Sequence, residues 1–286
     1  MAMTNRDPLV SIVMAAYNAR PYIAEAIRSA LEQTHRELEL IIVNDGSTDD
    51  TRAVIEGFSD PRIVLIDQLN GGIGKARNTA LERVNGDFVC FLDADDVLPP
   101  NSLKVRLKLL LHDPGLSFSD GTVVFKDREL TRVLRKRVPS FTGQPLQLLA
   151  VFDPACFFGN TWMIRWEKTF PYRFEPAITH VEDLLFYLNM AQGRRYDHTT
   201  EPVLFYRITG HSSMTKLEGL ENSYLHVNKW MRTRTDLFAA STVRRNLFLV
   251  HRMMSGAYWR SGRPLAALKA WFRQPQWMGS EARTER

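Results

Sequence analysis

Apolar and polar positions along the first part of the chain follow two alternating rhythms. Val10–Ala15 (VSIVMA) is a short apolar run bounded by turn residues, and Pro21–Gln33 then sets Ile23, Ala26, Ile27, Ala30 and Leu31 on one helical face. The order returns in Leu38–Asn44, a helix with Ser47 and Asp49 at its start, Arg62–Asp67, a helix over Ile73–Val84, and Phe88–Leu92. A helix over Pro99–Leu111 and a strand over Leu116–Phe125 follow. This alternation predicts an α/β fold: a mostly parallel, doubly wound sheet with helices on both faces and its ligand beyond the carboxyl ends of the strands.

The rhythm then changes. Lys126–Gly143 is charged and ends in turn residues, which fits either a mobile connection or an edge hairpin. Gly159–Arg165 reads as a strand, Glu182–Ala191 as a helix and Glu201–Arg207 as a strand. Beyond Ser213 the pattern is helical: Leu247, Val250, Met254 and Ala257 form one stripe, and Pro264 opens a last helix through Leu265, Leu268, Trp271 and Phe272. The expected organisation is a first half over 8–125, a second over 126–215 and a helical C-terminal region over 216–286.

Composition adds two constraints. With 286 residues, 44% hydrophobic and 24% charged, the chain is ordinary globular material, but its net charge of +5 is concentrated from Lys229 onward. A basic tail of this kind is a solvated face, an anionic membrane surface or, last, a nucleic-acid contact. Cys90 and Cys156 are too few for a disulfide framework and lack metal spacing, which fits a reducing cytoplasm. The opening MAMTNRDPLV has no apolar signal core, and the longest uncharged stretch, Val138–Phe152, is broken by prolines and a glycine. No segment is expected to cross a bilayer by itself.

Candidate chemistry falls where the fold predicts it. The strands exit into AAYN, VNDGSTDD, QLNGGIGKARN and LDADD. Asp49 and Asp50 read as helix caps. Asp93, Asp95 and Asp96 lie too close together for capping alone, because like charges raise one another's pKa unless a cation compensates. Carboxylate oxygens select hard ions, and Mg²⁺ or Mn²⁺ characteristically binds through one or two carboxylates plus substrate phosphates. The calcium-loop pattern fails after Asp95. NGGIGKARN is neither a Walker loop, since Ala76 follows Lys75, nor a dinucleotide fingerprint, since Arg77 stands at the third glycine. It leaves a glycine-rich turn able to hold phosphate through backbone amides, with Arg77 projecting from the first turn of the next helix.

Taken together, VSIVMAAYN, IIVNDGSTDDT, LNGGIGKARNTAL, FLDADD, HVEDLLFYL and YRITGHSSMT resemble the inverting family 2 glycosyltransferases, over about residues 8–215. The resemblance implies a GT-A fold, a nucleotide-diphosphate sugar donor, a UDP-sugar foremost, a Mn²⁺ or Mg²⁺ cofactor, and a glycan or lipid-linked glycan acceptor in bacterial cell-surface polysaccharide synthesis. By position it places Tyr17 against the nucleobase, Asp45 in hydrogen bonding to the base, and Arg77 on base or diphosphate. It sets Asp93 on the ribose hydroxyls, with Ala15, Gly72 and Ala94 also at the donor. Asp95 becomes the metal ligand, His211 a second one, and Asp96 a direct or supporting contact. Asp183 becomes the general base, with Gly159, Trp162, Arg165 and Glu182 at the acceptor. Departing from many relatives, His211 falls somewhat after Tyr206 and Arg207.

Bland readings stand beside these. Glu182 and Asp183 also suit the cap of the following helix, and Trp162 and Trp166 suit a core as well as a sugar face. The rival functions are a catalytically idle sugar-nucleotide binder and a dinucleotide-dependent oxidoreductase. The expected location is cytoplasmic or peripheral on the inner membrane face.

Overall fold

The computed structural model describes residues 7–156, 159–210 and 216–273. Its centre is β1 (Val10–Ala16), flanked in parallel by β2 (Leu38–Asp45) and β4 (Phe88–Phe91), with β3 (Ile63–Gln68) outside β2. The helices α1 (Ile23–Leu31), α2 (Thr51–Glu56) and α3 (Ile73–Leu81) make the crossovers. After α4 (Ser102–His112) come β5 (Leu116–Lys126), β6 (Val133–Arg137), α5 (Leu146–Ala150) and β7 (Met163–Arg165), then α6 (Glu182–Met190) and β8 (Arg195–Arg207). β7 runs antiparallel between β4 and β5, β6 is an antiparallel edge on β5, and β8 lies parallel to β5. The sheet is thus mixed, with its parallel part where the sequence predicts it.

Strict alternation explains how one sheet serves two cores. Ile12 and Met14 of β1 and Leu40 and Ile42 of β2 face one layer with α1 and α4, whereas Val13, Ile41 and Val43 face the other with α3 and α6. Both faces are covered, so these strands read as continuous apolar runs. The helices α7 (Leu217–Thr233), α8 (Ala240–Arg260) and α9 (Pro264–Phe272) join the second layer through Val227, Val250, Met254 and Ala267. Asn246 on α8 donates to the Ala150 carbonyl at 2.7 Å, tying these helices to α5.

Two differences from the sequence pattern, and the outcome of one open choice, have local causes. β8 begins at Arg195, not Glu201, because its polar first half pairs with β5 through the backbone. The segment Lys126–Gly143 is an edge hairpin, its exposed β6 carrying Arg135, Lys136 and Arg137. The strand expected from Gly159 shrinks to Met163–Arg165.

Candidate active site

Parallel register brings the ends of β1, β2, β3 and β4 to one edge, where Ala16 lies beside Asn44, Asp45 beside Gln68, and Val13 beside Phe91. Tyr17 leaves β1 there half exposed, with Ala15 just before it. Gly46 follows Asp45 with φ +69°, and a Cβ on it would lie 2.7 Å from the Asn70 nitrogen. Only glycine allows both that conformation and that approach. The loops are stitched further by Asn18, whose side-chain oxygen accepts the Thr48 N–H at 2.8 Å.

The glycine-rich turn differs from expectation. The N–H groups of Gly71 and Gly72 donate to the Asp45 carboxylate at 2.9 and 2.8 Å, and Gln68 donates to it at 2.7 Å. An internal carboxylate therefore already occupies the anion cradle before α3, where a phosphate was expected. Asp45 acts in this structure as the anchor of that turn, and Ala94, beyond β4, is buried.

Arg77 also turns inward rather than projecting from the helix start. It is 2% exposed, gives one nitrogen to Asp93 at 2.9 Å and another to Glu182 at 2.8 Å, and lies over the rings of Phe91 and Phe174. Burial disfavours its charge, but Asp93 and Glu182 more than offset this and hold its pKa above the usual arginine value. The other Asp93 oxygen accepts Asn160 Nδ2 at 2.7 Å. Arg77 thus joins the acid just beyond β4 to Glu182 at the start of α6, which lies 105 residues after the arginine along the chain.

Asp183 sits in the first turn of α6, following Val181, whose φ of +50° is strained for a β-branched residue. Its Oδ1 accepts the Leu184 N–H at 2.8 Å. Burial, then the neighbouring Glu182, then Asp93 at longer range push Asp183 up to about 8, against the opposing pull of Arg77. A carboxyl group with such proton affinity suits proton removal near neutral pH. Farther along α6, the Tyr187 hydroxyl donates to the Gly159 carbonyl at 3.2 Å, fixing the turn that presents Asn160.

The remaining aspartates divide the work. Asp96 is buried and accepts the Arg207 N–H at 2.8 Å, which ties β4 to β8; burial, Asp93 and Asp95 hold it well above the carboxylate range. The Asp95 carboxylate accepts no hydrogen bond from another side chain among the described residues, and burial followed by Asp93 raises it to about 6. Asp95, whose carboxylate makes no salt bridge among the described residues, fits a hard divalent cation, with Asp93 beside it already held by Arg77 and Asn160. Among the described residues no set of three His, Cys, Asp or Glu could hold a metal, so a cation here would draw its other ligands from a diphosphate or water. His211 lies outside the described residues.

Three residues expected at the acceptor are engaged within the protein itself. Trp162 is fully buried against Phe118, Tyr187 and Tyr196, so its ring cannot stack on a sugar. Arg165 donates to the carbonyls of Leu110 and Leu116 and holds the α4–β5 corner. Glu182 is buried and paired with Arg77. Sequence reading passed over Asn160, Tyr187 and Phe174; only the polar turn Gly159–Thr161 could have signalled the first.

Residues 11–179 match the family described as Glycosyl transferase family 2. The chain belongs to glycosyl transferase family 2. An uncharacterized glycosyltransferase of Haemophilus influenzae is 34% identical over 185 residues, covering 64% of this chain and 71% of that protein. The UDP-Glc:alpha-D-GlcNAc-diphosphoundecaprenol beta-1,3-glucosyltransferase WfgD of Escherichia coli is 41% identical over 116 residues, 40% of this chain and 46% of its own length. The hyaluronan synthase of Pasteurella multocida is 44% identical over 115 residues, which cover 40% of this chain and 12% of that protein. Among solved structures, the mannosyltransferase PcManGT of Pyrobaculum calidifontis, in complex with GDP-Man and Mn²⁺, has a TM-score of 0.65 at 20% identity, covering 93% of this chain and 74% of that one. S. aureus TarS 1–349 in complex with UDP has a TM-score of 0.58 at 18% identity, covering 97% and 92%. These likenesses establish the GT-A fold. Family 2 membership also removes the oxidoreductase reading, as does the occupied glycine turn.

Proposed function

We propose that this family 2 protein transfers a sugar from a nucleotide-diphosphate sugar, a UDP-sugar foremost, to an acceptor hydroxyl with inversion. The observation that carries the reading is the Asp93–Arg77–Glu182 bridge, which fixes Asp183, a carboxyl group of raised proton affinity, beside the donor-side acids. In the reaction Asp183 takes the acceptor proton as the acceptor oxygen bonds to the anomeric carbon, and the bond to the nucleoside diphosphate breaks on the opposite face. Arg77 and Asn160 hold Asp93 toward the donor ribose. A Mn²⁺ or Mg²⁺ ion at Asp95 would neutralise the departing diphosphate. The named acceptor of the Escherichia coli relative, a diphosphoundecaprenol-linked sugar, supports a lipid-linked glycan acceptor and work at the inner membrane face in bacterial surface polysaccharide synthesis.

Asp183→Asn keeps shape and helix capping but cannot take the proton. It is expected to bind UDP-sugar normally and to lose transfer by about 10² to 10⁴. Near-native turnover would reduce Asp183 to a helix cap, and a catalytically idle sugar-nucleotide binder would show no turnover in the parent protein at all.

A further inference from the structure

The outer face of the α8–α9 hairpin is built for contact with a surface that the described residues do not provide. At 3.6 residues per turn, Ala267 and Ala270 turn α9 toward the core, while Leu265, Leu268 and Phe272 fall on the opposite side. Leu265 is 76% exposed and Phe272 61%. On α8, Arg245, Phe248, Arg252 and Trp259 share the outward stripe, opposite Val243, Val250 and Met254, and Trp259 is 65% exposed. A solvated helix would place polar residues at these positions.

The charge around this apolar face is of one sign. No Asp or Glu occurs between Leu237 and Ser280, a stretch with seven arginines and lysines. Arg263 and Arg273 turn back to Glu218 and Glu221 on α7. Arg245, Arg252, Arg260 and Lys269 are exposed and have no carboxylate partner among the described residues. Two copies meeting through this face would press like charges together, whereas an anionic lipid surface satisfies both the apolar centre and the basic rim.

We propose that the α8–α9 hairpin docks the protein on an anionic membrane surface, with Trp259, Leu265, Leu268 and Phe272 entering the headgroup boundary and Arg252, Arg260 and Lys269 meeting lipid phosphates. The contact is interfacial, since no helix among the described residues is long and apolar enough to cross a membrane. This goes beyond the transfer reaction and does not depend on it.

Full-length protein is sedimented with vesicles of phosphatidylglycerol and phosphatidylcholine in equal parts, and with phosphatidylcholine alone. Affinity for the anionic vesicles should exceed that for the neutral ones by roughly tenfold or more and weaken in about 0.5 M salt, where screening is strong. Leu265→Ser/Phe272→Ser and Arg252→Glu/Arg260→Glu should each lose the anionic preference. Both pairs replace exposed side chains, so their melting curves should match the parent. Should a pair misfold, quenching of tryptophan fluorescence by brominated lipid decides on the parent protein: quenching supports docking, and its absence overturns it. The proposal also fails if both pairs bind as the parent does, if vesicle charge makes no difference, or if the parent is a dimer that either pair converts to monomer. None of these readouts requires turnover, so their failure leaves the transferase reading standing.

Discussion

Arg77, packed over two aromatic rings, holds two acids from distant parts of the chain. Replacing it by Ala leaves Asp93 and Glu182 without their cation in a buried setting, a loss of about 3–5 kcal/mol. Urea unfolding checks this, and a change below about 1 kcal/mol would mean that the bridge is incidental. Asp183 provides a pH test. Because a general base must be deprotonated, kcat/KM should climb about tenfold per pH unit below its pKa. Burial and Glu182 push that pKa up to about 8, and Asp183→Asn should abolish the limb. The stability sign is opposite. Asp95 and Asp183 are both raised by folding, so the folded chain holds more protons than the unfolded one between about pH 4 and 8, and these groups subtract stability as pH rises through that window. Thermal melts of the metal-free protein that rose steadily across it would contradict this, and Asp95→Asn should flatten the lower part.

At the scale of elements, the turn after β2 is the least tolerant. Gly46→Ala imposes strain of about 1–3 kcal/mol in the left-handed region and a Cβ against Asn70, so the Asp45-held turn must shift. Weaker nucleotide binding by calorimetry, together with a lower melting point, is the expected pair of effects; unchanged binding would detach the turn from the donor. The parallel strands were legible because both faces are buried and the sequence answers with unbroken apolar runs. Residues 195–200 were not, since that half of β8 is held by backbone pairing and its polar side chains show no pattern. The five-residue α5 was too short for a helical period to emerge. Within the site, the acids declared themselves through charge crowding in LDADD and by position in HVED. Asn160 offered only a polar turn, because its partner Asp93 is 67 residues away and only the fold brings them together. Trp162 stayed ambiguous because a ring reads alike in a core and in a sugar site.

At the scale of the molecule, α7–α9 share a core with the sheet that carries the acids. Met254→Ala on α8 should cost about 2–5 kcal/mol, and helix and aromatic signals should still melt together. A separate early transition would make the helices an independent body. The Asp45-filled turn has a further consequence for the order of events. With its amides already matched to a carboxylate, the rim offers an arriving diphosphate few free backbone donors, while Asp93 and Asp95 confront it with negative charge. On the proposed transferase reading the species admitted would be the cation–nucleotide complex, so free nucleotide should act as a poor competitor, and initial rates should track the concentration of the complex rather than that of either component.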